Sequence, residues 1–498
     1  MYYFFISLLK IILNFSNFHS LSVSHFLIFT FPHFLIFKFP MQPTYKEVVV
    51  IGAGLTGLTT ALRLKIKNKD FVVIEKSDRV GGVIHTAVKG EFVYEEGPNT
   101  GVLGTPEVVE LFEELDGKCK LVPADKNVNK RFILKNGKWE LLPGGLIGGV
   151  RTPLFRFSDK LRILGEPFRK PGTDPHETLA EMVKRRMGLS FLEYAVDPFI
   201  LGVYAGDPNI LVTKYALPKL YNLEQNYGSF IGGTIKKAKE KKSEREKKAT
   251  REVFSAEGGL SSLIFALEKS VGKENIILNC SGLKITKNGT EYLVCGNSGE
   301  TEYQYRTKNI ITTIPAYELP GIFDFISEAE IKPISTLFYA KTAEVILGFD
   351  TWEGISIDGF GGLIPFKENR DILGVMFLSS LFANRAPKGG ALITVFVGGV
   401  RKGHLVDLSE AEIKSLVEKE VKDLMQITNF KPSLFVVWKH ERAIPQYLKD
   451  SGERFEMVER LQKENHGLQI GGNLRDGIGM ADRIKQAFEL AQFSIDNG

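Results

Sequence analysis

The chain has 498 residues, too many for a single compact core and enough for two or three domains. Its 43% hydrophobic and 25% charged residues describe a globular protein, and three cysteines (Cys119, Cys280, Cys295) without CxxC spacing exclude a disulfide framework. The net charge of +5 is local: residues 236–252 hold nine Lys/Arg against four Glu, an excess equal to the whole, and no interleaved aromatics, which argues against a nucleic-acid partner.

The first forty residues carry no acidic residue, and nothing charged lies between Lys10 and Lys38. That interval is long enough to span a bilayer, but its Phe, Ser, His and Asn content and Pro32 make it a poor helix, and no small-residue cleavage site follows. Met41 opens "MQPTYKEVVVIGAG", so the expectation is that Met41 is the true start and residues 1–40 are upstream sequence; a membrane anchor is the alternative.

The stretch "EVVVIGAGLTGLTTALRLK" then joins a β-branched run to a glycine turn and a helical pattern. Gly52, Gly54 and Gly57 form G-x-G-x-x-G. The first allows the tight turn, the second a close approach to a pyrophosphate, and the third helix–strand packing. Ala53, Leu55 and Thr56 complete the loop, and the helix N-terminus offers free N–H groups to the phosphates. A second strand ends at Glu75, 18 residues after Gly57, where an acid accepts ribose hydroxyls. No second such fingerprint follows a strand, so a nicotinamide site is not indicated.

"EKSDRVGG", with Glu75, Lys76, Arg79, Gly81 and Gly82, resembles the R-x-G-G extension of amine-oxidase-like flavoproteins, where a second glycine turn and an arginine approach the pyrophosphate. "EEGPNTG" resembles their segment beside the flavin ring, giving Gly97, Pro98, Asn99 and Thr100. The cofactor implied is FAD. Residues 123–250 have helical periodicity, and the basic run 236–252 within them reads as a solvated, partly disordered loop, or alternatively as an attraction for anionic lipid. "LSSLIFALEKSVG" predicts a helix, followed by "NIILN", a hairpin from "LKITKNGTEYLVCG", and "NIITTIPA" returning to the FAD sheet. Residues 319–438 alternate apolar and polar and predict a sheet over the substrate. The terminal "LQIGGNLRDGIGMADRIKQAFELA" predicts a strand, a glycine turn and a helix aimed at the flavin. The fold class expected is α/β + α+β: a Rossmann-like FAD domain (41–122, 251–318, 439–498) interleaved with a helical membrane-proximal domain (123–250) and a mixed-sheet substrate domain (319–438).

"GVYAGDP", the "LEQ-x-x-GS" element, "GFGGLIP", "SSLFANRAP" and "AIPQY" are similar to the protoporphyrinogen oxidase family, and the similarity runs from Met41 almost to the end. That resemblance implies oxygen-dependent six-electron oxidation of protoporphyrinogen IX in haem biosynthesis, by hydride transfer to FAD and reoxidation by O2. Aromatisation drives it, so no dedicated catalytic acid or base is required. It further implies Arg131 as a carboxylate anchor, Phe360 as a ring-stacking residue, Leu347 as an aliphatic wall and Gly202 as a pocket-lining backbone position. For FAD it adds the backbone at Cys280 and, in "GNLRDGIGMAD", which departs in detail from the family pattern, Asn473, Ile478, Gly479 and Met480. No catalytic metal is expected, since the eight histidines form no ligand grouping. Peripheral attachment to the cytoplasmic membrane and a homodimer are the family's habits. Coproporphyrinogen III is the alternative substrate; an amine oxidase, a carotene desaturase or a non-catalytic FAD and porphyrin carrier are the other readings.

Overall fold

In the computed structural model, which describes residues 42–128, 130–144 and 146–496, the run VVVI becomes the strand Val48–Ile51, buried along its whole length. Burial on both faces is the condition of a parallel sheet. The strand is the middle one of five, all parallel, in the order Ile276–Ile277, Phe71–Ile74, Val48–Ile51, Asn309–Thr312, Leu468–Ile470. Val48 and Val50 pack under Leu58, Leu263 and Ile484 of the helices Leu55–Ile66, Ser261–Val271 and Met480–Asp496. Val49, Ile51 and Val72 face the other way, onto Ile285, Tyr292 and Val294. Those belong to the expected hairpin, Cys280–Asn288 with Glu291–Ser298, which gains a third strand, Thr301–Thr307. The N-terminal forty residues lie outside the described residues.

A second sheet has seven strands in the order Leu434–Pro445, Tyr339–Phe349, Ala391–Gly398, Ile372–Met376, Gly361–Leu363, Arg131–Lys135, Lys138–Leu141. Its last two strands come from residues expected in the helical stretch. The signal for them is Asn136-Gly137, both at positive φ (51° and 72°), a two-residue hairpin turn between apolar–polar strands. Gly361 pairs in parallel with Arg131, so the chain is stitched across some 230 positions at this edge. The sheet has two unlike faces. Ala343, Val345, Leu347 and Phe349 pack with Ile413, Val417 and Val421 of the helix Glu410–Met425. On the opposite face Ile346 packs with Phe92, Tyr94 and Phe360.

The helical stretch covers one end of that second face through Asp197–Tyr204, whose Leu201 clusters with Ala340 and Leu373. Its internal cement is ionic: fully buried Arg186 donates from Nε to Glu166 Oε1 (2.6 Å) and from Nη1 to Glu224, and lies over the ring of Phe230. The basic run 236–252 is exposed along most of its length, as expected, but it is more than a loop. Ser243 caps a single turn, Glu244–Lys247; Arg245 donates to Glu107 and Glu110, and Lys248 to Glu113. All three acceptors lie on the helix Pro106–Glu114, so the run is docked by complementary charge.

Candidate active site

The glycine turn separates three jobs. Gly52 takes φ +100°, and a Cβ on Gly57 would sit 1.9 Å from the Gly52 carbonyl oxygen, so only glycine lets the helix approach the strand. A Cβ on Gly54 would meet no protein atom within 4 Å. That is the open side of the turn. The helix Leu55–Ile66 starting there has neither a side-chain cap nor an acidic residue in its first turn, so its N-terminal N–H groups and dipole are left for an anion. Glu75, buried, holds the loop from beneath: Oε2 accepts from Ala53 N at 2.7 Å and Oε1 from Ser77 N at 2.9 Å. Each oxygen retains lone-pair capacity for a ribose hydroxyl.

The second glycine turn lies against the first, with Gly81 N donating to Ala53 O at 2.8 Å and a bridge between Gly54 and Gly81. Arg79 braces it, donating from Nη2 to Gly82 O (2.8 Å) and from Nη1 to Val80 O and Ile84 O. Lys76 instead turns to the surface and pairs with Glu318. Cys280 N donates to Glu75 O at 2.9 Å, which sets its backbone beside the ribose acid. Burial pushes its thiol pKa up, as for an inert sulfur.

In residues 97–100 a Cβ on Gly97 would strike Val83 O. Asn99 Nδ2 donates to Gly97 O and to Glu344 Oε2, both at 3.1 Å, and its Oδ1 accepts from Thr394 at 3.2 Å. This segment is thereby pinned to the second face of the seven-stranded sheet; Pro98 and Thr100 lie in it. At the C-terminal turn, Asn473 Oδ1 accepts from Tyr339 Oη (3.2 Å) and Asn473 O from Tyr447 Oη (3.0 Å). Gly479 N donates to Asp482 at 3.1 Å, so the helix from Met480 carries a carboxylate of its own at its start.

Of the four expected substrate residues, Arg131 and Phe360 meet, Gly202 packs on Leu363 farther along, and Leu347 lies on the other face. Arg131 Cζ lies 5.2 Å from the Phe360 ring centroid, on neighbouring strands. Gly202 sits against Leu363, the next residue but one along that strand from Gly361, and a Cβ there would lie 2.3 Å from Leu363 Cδ2. Ile133, Leu363 and Ile478 share one cluster, which links this edge to the cofactor turn. Leu347 is the correction. It is fully buried on the first face, among the residues of Glu410–Met425, while Ile346 faces the site. Strand alternation puts adjacent residues on opposite sides, and the expected position is off by one. Beside Arg131, Lys130 is paired with Asp358 at 2.5 Å, whereas among the described residues Arg131 has no carboxylate partner.

Residues 55–463 match the model of the family described as flavin containing amine oxidoreductase. The chain belongs to that family. This flavoprotein is also 30% identical over 476 residues to protoporphyrinogen oxidase 1, chloroplastic, of Spinacia oleracea, covering 90% of this chain and 84% of that one, which places it in the protoporphyrinogen oxidase family. A coproporphyrinogen III oxidase of Bacillus subtilis is 27% identical over 89% of this chain and 96% of its own. The crystal structure of an Exiguobacterium protein provisionally named protoporphyrinogen oxidase has the same fold, with a TM-score of 0.74 at 21% identity, covering 91% of this chain and all of that one.

The flavoprotein is thus an FAD-dependent oxidoreductase, and the open Gly54 side, the uncapped helix and buried Glu75 fit that cofactor. Its buried ionisable groups escaped the sequence reading. Glu95 is buried against Arg385 Nη1 at 2.9 Å, and Arg385 also reaches Ser255. Glu344 is buried on the site face, and desolvation, opposed by the Asn99 hydrogen bond and helped by Glu95 and Glu96, pushes its carboxyl up to about 8. Arg483 lies buried under the C-terminal turn, donating to Gly472 O and Gln486. Only an acid on an otherwise apolar strand, "TAEVILGF", hinted at Glu344.

Proposed function

We propose that this flavoprotein oxidises a porphyrinogen, with protoporphyrinogen IX as substrate and protoporphyrin IX as product, in haem biosynthesis. The observation that carries the reading is the unpartnered Arg131 guanidinium over Phe360: a planar cation with two free donors beside an aromatic face suits a propionate on a flat apolar ring. FAD supplies the two-electron acceptor, used three times per macrocycle and returned to its oxidised form by O2. The chain's own residues hold the ring: Arg131 anchors a propionate and Phe360 gives it a face, while the bare backbone at Gly202 lets Leu363 pack against it. The names of the relatives support the same substrate class.

Coproporphyrinogen III is the second reading, favoured by the Bacillus relative's name and coverage. The two are separated by following porphyrin fluorescence in air with both substrates, on the purified flavoprotein, with autoxidation subtracted. A specificity constant larger for protoporphyrinogen is expected; the reverse ratio moves the enzyme to coproporphyrinogen, and no rate above autoxidation removes both. Arg131→Ala should raise KM roughly tenfold to a hundredfold with a smaller effect on kcat, since it removes binding common to ground and transition states. Arg131→Lys recovers only part, because a lysine is not bidentate.

Attachment to a membrane surface belongs to the same proposal. The helix Phe157–Leu164 and the turn after it expose Phe157, Leu161, Leu164 and Phe168, the last 89% open, beside Arg156 and Arg162, while Leu154 and Phe155 are buried. Apolar side chains among cations suit an anionic interface. No helix among the described residues is long and apolar enough to cross a bilayer.

A further inference from the structure

Glu344 lies on the site face of the seven-stranded sheet, fixed by Asn99 of the segment expected beside the flavin. Across the sheet edge His440 brings Nε2 to 4.0 Å from Glu344 Oε1. That nitrogen is buried without a hydrogen-bond partner, an arrangement native proteins rarely keep without use. On the other side His85 Nδ1 meets Glu96 Oε2 at 2.6 Å, and His440 lies within the field of Glu96. Side-chain exposure rises from 9% at Glu344 and Glu96, through 17% at His440, to 39% at His85. Glu344, His440 and Glu96 are thus largely buried, and His85 is the group that reaches water.

We propose that Glu344, His440, Glu96 and His85 form a proton-release path, with Glu344 as its inner end. The path rests on the porphyrinogen reading above. In each two-electron round one hydrogen leaves a meso carbon with its electron pair for the flavin and a second leaves as a bare proton. Over the three rounds two of these protons come from pyrrole nitrogens as C=N bonds form, and the third comes from the remaining meso carbon by tautomerisation, so that four C–H and two N–H bonds are broken in all. The N–H bond breaks, the Glu344 carboxylate forms O–H, and the proton moves on to His440 and out by Glu96 and His85. The electron pair and the hydrogen that left with it go to O2, which takes up one further proton from solvent to become H2O2, so only the proton lost from the macrocycle needs a path through the protein. Other groups on the elements packed here do not substitute: Glu95 is held by Arg385, and Asn99 and Thr394 do not titrate. Burial raises the Glu344 carboxyl to about 8 and lowers the His440 imidazole, so near neutrality the proton rests on Glu344 and His440 holds it only in passing.

The experiment uses the full flavin-loaded chain with E344Q, E344D, H440Q and H85Q. E344Q should keep its flavin and KM, lose about tenfold or more in kcat, and lose the inflection near pH 8 in its pH–rate profile, with partial recovery in E344D. H440Q and H85Q apply the same rate measurement from the outer end, should E344Q not accumulate. Without any substrate, the protonated Glu344 carbonyl band in infrared difference spectra should titrate near pH 8, and its midpoint should shift in H440Q. An unchanged rate and pH profile in E344Q, or a band indifferent to H440Q, overturns the path. If the wild type oxidises no porphyrinogen, the substrate reading fails by itself, and the infrared titration alone decides whether Glu344 and His440 are coupled.

Discussion

Gly54 and Gly57 stand three positions apart in one turn, yet a methyl group means different things at the two. At Gly57 it would meet the Gly52 carbonyl at 1.9 Å; at Gly54 it would meet no protein atom within 4 Å. Gly54→Ala should leave the melting temperature of the apoprotein near wild type and weaken FAD binding, read by flavin fluorescence titration. Gly57→Ala should lower the melting temperature of the apoprotein itself. Glu344 gives a pH prediction of known sign. Its folded value of about 8 lies above the unfolded value of about 4.3, so its contribution to stability is fully present in acid and is lost as pH rises through 8. Glu344→Gln should therefore match wild type in melting temperature near pH 5 and exceed it near pH 9. The glycines and Glu75 were legible in the sequence because their work is local backbone chemistry. Glu344 was not, because the burial that shifts it is assembled from residues about 50 and 245 positions away. Leu347 was misplaced because a resemblance locates a strand more readily than its parity.

Elements repeat that division. The five parallel strands were readable as short apolar runs, the first and last of them in chain order running into glycine turns, and the helix Ser261–Val271 by its period. The hairpin carrying Arg131 was overlooked although Asn136-Gly137 announces it, since the surrounding segment reads as helical. The docking of residues 236–252 on Pro106–Glu114 was invisible for another reason: complementary charge 135 positions away leaves no periodicity. Within the helical stretch, Arg186 is the element-scale dependency. Replacing it with Ala would leave Glu166 buried without its cation, while Glu224 keeps Arg185, a loss of about 3–5 kcal/mol. Urea unfolding should show that loss, and an Arg186→Met, Glu166→Gln double variant, which leaves the Arg185–Glu224 pair in place, should recover part of it.

At the scale of the molecule, the parallel sheet with its glycine turns and the seven-stranded sheet carrying Arg131 are joined at several places, among them Asn99 on Glu344 and Thr394, Asn473 on Tyr339, and Ile478 in the cluster of Ile133 and Leu363. FAD binding should accordingly stabilise more than its own domain, raising stability by about 2.7 kcal/mol at a hundredfold excess over Kd. A calorimetric scan should show one transition moving upward as a whole.

The parallel sheet takes its strands from residues 48–74, 276–312 and 468–470, and the helix Met480–Asp496 packs against the first segment. A ribosome making this chain therefore releases the strand Val48–Ile51 long before its last partners exist. The nascent protein must keep a fully apolar central strand from aggregating for most of its synthesis, and it can grip FAD only after nearly the whole chain has emerged. A stop codon after residue 466 should thus yield not a weaker enzyme but a chaperone client, insoluble and without flavin.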